Sequence, residues 1–136
     1  MKVNLEYESI DADGEKTKAK TMALMDEIST GYKLTFVEDL SGEGRKTRST
    51  MYVSSTEFRL IRQGELNTDF MFGPDLLHNT LYGTPYGTLP VVISTKSFSY
   101  NGRNEQYIFT IKVSYTLQIE GQEPTPMEIA VKVKGI

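Results

Sequence analysis

Cysteine and tryptophan are absent from this chain of 136 residues, and histidine occurs once, at His78. Without cysteine there is no disulfide, no thiolate metal site and no cysteine nucleophile. The absence fits a reducing compartment. One imidazole cannot supply the histidine pairs of zinc sites. A Ser-His-Asp triad would have to use His78 with a serine on a sharp elbow, and no G-x-S-x-G run occurs. Long apolar runs are also missing. Nothing approaches the roughly 20 residues that span a bilayer as a helix, and the opening MKVNLEYESIDADG lacks the apolar centre of a secretory signal. These absences predict a cytoplasmic protein that is not an enzyme and carries no metal or cofactor.

Positive charge is scarce too. Lysine and arginine total 15 against 18 acids, for a net charge of -3. Binding to a phosphate backbone needs a concentrated basic surface. The densest basic stretches are Lys16, Lys18 and Lys20, and Arg45, Lys46 and Arg48. Every second residue of a strand leaves on the same face, so the lysines read as a solvated face. Neither nucleic acid nor membrane is an expected partner, and no feature marks an oligomeric state.

What is present is alternation. Tyr107, Phe109, Ile111, Val113, Tyr115, Leu117 and Ile119 hold the odd positions of one segment, with mostly polar residues between them. Met127, Ile129, Val131 and Val133 repeat the pattern after a turn at Gly121-Gln122. Period two means strand, and the pair reads as a hairpin whose core face carries Phe109, Ile111, Val113 and Ile129. Val3, Leu5 and Tyr7 alternate in the same way before Asp13-Gly14. Tyr32, Leu34, Phe36 and Glu38 share one face of YKLTFVEDL, which Ser41-Gly42-Glu43-Gly44 closes. TRSTMYVSS, EFRLIRQG, LNTDFMF and LPVVISTKSFSY complete the series, the last ending at the hairpin signal Asn101-Gly102. KAKTMALMDEI, residues 18–28, is rich in helix formers but closely bounded by turns, and is read as strand. Asp75 to Leu81 admits one helical turn, capped by Asp75 after Pro74.

Turns therefore recur roughly every 10–17 residues, leaving little room for helix. The expectation is a single all-β domain over residues 1–136, an antiparallel up-and-down barrel of about 8–10 strands. Closure would remove the exposed edges of a long meander. A two-sheet sandwich is the alternative.

The stretch TLYGTPYGTLP says YGT twice. A phosphate loop needs a helix N-terminus after its glycines. Here a strand follows, so the repeat reads as a chain reversal. Gly83 and Gly87 permit backbone angles closed to other residues, and Tyr82 and Tyr86 are placed on the core or over a barrel mouth. Arg59 and Arg62 have opposite parity, which turns one inward. A buried arginine would need an acidic or carbonyl partner or an anionic ligand. If the protein has a site, it lies at the barrel mouth shaped by LLHNTLYGTPYGT, with His78, Thr80, Tyr82 and Tyr86 as ligand-binding groups and Arg62 as the charged one. Tyrosine suits such a half-wet rim.

EFRLIRQGELNTDFMF, with its Ile-x-x-Gly run at Ile61 to Gly64, is followed by TLYGTPYGTLPVVIST and a long final strand pair. The middle segment carries Thr80, Tyr82, Pro85, Tyr86, Gly87 and Thr95 in characteristic spacing. Together these segments resemble the YwiB-like family, small bacterial proteins of unassigned function, across essentially the whole chain. The resemblance implies a lipocalin-like (calycin) β-barrel from a bacterial cytoplasm, and brings no catalytic residues. The Gly-x-Trp of proper lipocalins has no counterpart here. Two functions follow as expectations. The barrel holds a small, partly apolar ligand in or at its mouth, or it is filled and works as an interaction or assembly module. The interior discriminates between them.

Overall fold

Period-two alternation becomes ten antiparallel strands in the computed structural model, which describes residues 1–39 and 44–136. They are β1 (Lys2–Ile10), β2 (Lys16–Ile28), β3 (Gly31–Glu38), β4 (Thr47–Val53), β5 (Phe58–Gln63), β6 (Thr68–Phe72), β7 (Leu77–Thr84), β8 (Gly87–Asn101), β9 (Phe109–Ile119) and β10 (Thr125–Gly135). No described residue is helical. Ser41, Gly42 and Glu43, three residues of an expected turn, lie outside the described residues. Residues 18–28 are strand, as their flanking turns predict.

One sheet contains all ten strands, in the order β6-β5-β4-β3-β2-β1-β10-β9-β8-β7. Neighbours in sequence are neighbours in space except at one place. The first and last strands pair with each other, Leu5 opposite Val133 and Tyr7 opposite Val131, so the seam of the barrel falls between β6 and β7. Asn67 and Gly83 exchange two backbone hydrogen bonds there, of 2.9 and 2.8 Å. The His78 imidazole reaches the Asp69 carbonyl at 2.9 Å. The barrel is therefore nearly closed.

The predicted core face is the inner face. Val3, Leu5, Leu34, Phe58, Phe72, Phe109, Ile111, Val113 and Val131 are all at most 1% exposed, and Ile129 is buried. Glu38 shares the inner face of β3 with Leu34 and Phe36 and is itself buried.

Three local expectations change. Asp75 caps no helix: Gly73 to Leu76 is a β-turn closed by a 3.1 Å bond from the Leu76 amide to the Gly73 carbonyl, with Asp75 at φ 56°. Proline then a residue tolerant of positive φ is the chemistry of a type II turn. Asn101-Gly102 is not a two-residue hairpin. β8 ends at Asn101 and β9 starts at Phe109; Asn104 organises the connection by accepting from the Gln106 and Tyr107 amides at 2.8 and 2.7 Å. Ile108, expected on the polar face, is 4% exposed and its amide donates to the Val133 carbonyl. In β8 the pairing slips between Thr95 and Ser97. Such a bulge changes parity, so Val91, Ile93 and Thr95 point inward before it and Phe98 and Tyr100 pack against the core after it.

Candidate functional site

The barrel interior is filled at one end and open at the other. Tyr32 and Tyr100 both stack on Phe109, with ring centroids 5.5 and 6.0 Å away. Phe58 stacks on Phe72 at 5.6 Å. These rings plug the end that holds the β2–β3, β4–β5, β6–β7 and β8–β9 connections. Toward the opposite end lies a cavity of about 330 Å³. Its lining comes from strand ends: Ser9 of β1, Arg62 of β5, Tyr82 of β7, Leu89 of β8, Ile119 of β9 and Met127 of β10. Phe70, Phe72 and Tyr115 form its aromatic side. Tyr82 packs against Phe70 at 5.8 Å, and Tyr115 against Phe72 at 4.7 Å.

One cluster is charged. Arg62 turns inward and Arg59 outward, as their opposite parity requires. Arg59 forks onto Asp69 at 2.8 and 2.6 Å on the half-exposed outer face, and that fork is the main reason the Asp69 carboxyl lies below its usual range. Arg62 donates from Nε to Glu38 Oε2 at 3.1 Å and from Nη2 to Oε1 at 3.4 Å. The Tyr7 hydroxyl also donates to Oε1, and Ser49 to Oε2. A carboxylate offers about four acceptor sites, so Glu38 is saturated. Burial pushes the Glu38 carboxyl up, but the Arg62 charge and the hydrogen bonds from Arg62, Ser49 and Tyr7 outweigh it and hold the carboxyl below its ordinary value. Burial, then the hydrogen bond to Glu38 and its charge, push the Tyr7 phenol well up.

The remaining polar groups can all donate. Arg62 bonds Glu38 through Nε and Nη2 and also interacts with the Tyr7 hydroxyl. Among the described residues the Tyr82 and Tyr115 hydroxyls bond no protein group. Thr68, opposite Arg62 in the β5–β6 register and 5% exposed, has a buried Oγ1 with no partner among the described residues. Burial, partly offset by the Arg62 charge, pushes the Tyr115 phenol up to about 12. A group held neutral this way contributes stability that is fully present below pH 10 and is lost as pH rises toward 12. Tyr115→Phe is therefore expected to reduce the loss of stability between these pH values, read from urea midpoints across the range; an unchanged alkaline limb would show that this phenol is ionised freely.

Of the groups expected at the mouth, Arg62 and Tyr82 meet in this cavity. His78 and Thr80 do not line it: His78 latches the seam, and Thr80 lies in a groove on the seam. Tyr86 corrects the expectation of a second core or mouth tyrosine. It is 99% exposed at the tip of a two-residue turn, Pro85-Tyr86, between paired Thr84 and Gly87. Gly87 has φ 134°, so the turn needs glycine there. Gly83 does not need such an angle. Its role is close approach, since a Cβ would stand 3.0 Å from the Asn67 Cβ across the seam. Tyr7, Glu38, Ser49, Thr68 and Tyr115 were not among the expected site residues. Among the described residues no group of three or more histidines and acids could hold a metal ion.

Comparison with known proteins adds a family. Residues 2–131 match the model of a domain of unknown function, DUF1934. The chain belongs to the DUF1934 family. The crystal structure of ywiB protein from Bacillus subtilis is similar to this DUF1934 chain, with a TM-score of 0.71 over 98% of this chain and 92% of that one. At 19% identity, the likeness speaks to the barrel fold that the YwiB-like resemblance implies. A search of curated proteins finds no match for this DUF1934 chain.

Proposed function

We propose that this DUF1934 protein binds one small, partly apolar molecule in the open half of its barrel, without catalysing a reaction. The observation that carries this is the cavity of about 330 Å³, walled by apolar and aromatic side chains with a few convergent donors. Ligand pockets start near 300 Å³ and share that mixture. Cargo carriage in a bacterial cytoplasm by a lipocalin-like barrel fits the lack of cysteine. Nucleic acid does not fit. Lys16 and Lys18 stand 3.8 and 3.7 Å from Glu8, and Lys20 3.6 Å from Glu6, so the basic stretch is interleaved with acids.

The test is a thermal-shift screen of small amphipathic molecules against wild type, Leu117→Trp and Tyr86→Ala. Leu117 lines the cavity, and an indole there occupies ligand space. Ligands that raise the wild-type midpoint are expected to lose their effect on Leu117→Trp and keep it on Tyr86→Ala. A ligand that still stabilises Leu117→Trp binds elsewhere and overturns the reading.

A second reading has one observation behind it. Met22, Leu24 and Val37 are 54%, 53% and 52% exposed on the outer face of β2 and β3, and exposed apolar side chains that cluster are a feature of interaction surfaces. The interaction reading pictured a filled barrel, whereas only half of this interior is filled.

A further inference from the structure

Resting on the binding reading above, we infer that the polar end of the ligand is an uncharged hydrogen-bond acceptor, such as an amide or ketone carbonyl, and that Glu38 sets this preference. The polar side chains of the lining favour an acceptor. Arg62, Tyr82 and Tyr115 line the cavity, and Glu38, the carboxylate behind Arg62, already accepts four hydrogen bonds. Thr68, outside this lining, places a buried hydroxyl with no partner among the described residues opposite Arg62 in the β5–β6 register. Arg62 can only donate, and each hydroxyl can donate as well as accept, so a single acceptor on the ligand serves all of them.

The charge balance decides that the acceptor is neutral. Among the described residues Arg62 is the one basic group lining the cavity, and Glu38 cancels its charge at 3.1 Å. The pair is buried, with side chains 15% and 5% exposed. A carboxylate entering beside it would lose its hydration and find no uncompensated cation, while meeting the Glu38 charge within the same cluster. A cation would meet a saturated Glu38. A neutral carbonyl gains the hydrogen bonds without the charge penalty. The Tyr115 phenol, neutral across the physiological range, remains a donor to it.

Octanamide and octanoate test this because they share a shape and differ in charge; octylamine supplies a cation. Calorimetric titration at neutral pH is expected to show wild type binding octanamide at least about tenfold more tightly than either charged probe, tenfold being a modest share of an ion's desolvation penalty. Glu38→Gln frees the Arg62 charge, and its preference is expected to move toward octanoate by about tenfold or more. Octanoate binding wild type as tightly as octanamide overturns the inference while sparing the binding reading, and this arm needs no variant to fold. A folded Glu38→Gln protein with an unchanged preference removes Glu38 as its cause. Failure of all three probes to bind wild type or variant overturns the binding reading and this inference with it.

Discussion

Arg62→Met is expected to lower the unfolding free energy by about 3–5 kcal/mol, the usual cost of leaving one member of a buried ion pair alone. Glu38 would keep its charge at 8% exposure, with only the Tyr7 and Ser49 hydroxyls to hold it. Glu38→Gln is expected to cost a similar amount by stranding the guanidinium. The double variant Glu38→Gln/Arg62→Met should cost clearly less than the two singles added, because no uncompensated charge remains. Urea unfolding of the four proteins measures the coupling. A coupling below about 0.5 kcal/mol would mean that water screens the pair as it screens surface pairs. The pH dependence follows with a definite sign. The folded Glu38 carboxyl sits below its ordinary value of 4.5. Its contribution is therefore present above that pH and is lost as pH falls through the lower folded value. Glu38→Gln should flatten that acid limb.

This cluster was half legible in the sequence. Glu38 falls in phase with Tyr32, Leu34 and Phe36, and Arg62 falls in phase with Phe58 and Leu60. An acid and a base, each on an apolar face, need partners. Reading one strand at a time exposed the need of Arg62 without pairing it to Glu38. Their meeting depends on register across two ladders: Glu38 pairs with Thr47, next to Arg48, and Ser49 pairs with Arg62. Ser49 is thus the strand neighbour between them, and no single-strand periodicity shows it. Thr68 was hidden for the same reason, since it pairs with Arg62 on the far side.

The strands themselves were more legible than their ends. Alternation in β1, β3, β9 and β10 states which face is buried, because one wrong step would expose every apolar side chain. Tyr86 escaped that logic. It lies in the turn, where alternation stops, while Tyr82 lies two pairs deeper on β7. The bulge in β8 was silent because Lys96 can be read as one more outward residue, although the slip beside it turns Phe98 and Tyr100 inward. The Asn101-Gly102 signal was overruled by Ile108, whose burial and bond to Val133 require a longer connection.

Phe72→Ala is the second large expected loss, about 3–5 kcal/mol for a buried phenylalanine. Phe72 is 1% exposed and touches three rings, Phe58, Phe70 and Tyr115, at centroid distances of 5.6, 6.5 and 4.7 Å. It also lines the cavity, so its ring is the partition between the filled and open halves of the barrel. Two consequences follow from that position. Truncation removes aromatic contacts and leaves a void whose neighbours are held by strands and cannot fully collapse onto it. The void is continuous with the existing cavity, so the variant should accept a larger apolar molecule than wild type does. Urea unfolding is expected to show the full loss with little change in m. Benzene, which fills dry apolar voids, should recover part of the midpoint in Phe72→Ala and move wild type less. A loss below about 1 kcal/mol would mean that the rings repack and the partition is soft. A full loss with no benzene effect would mean that the void closes or floods, and that the filled half of the barrel depends on this one ring to stay filled.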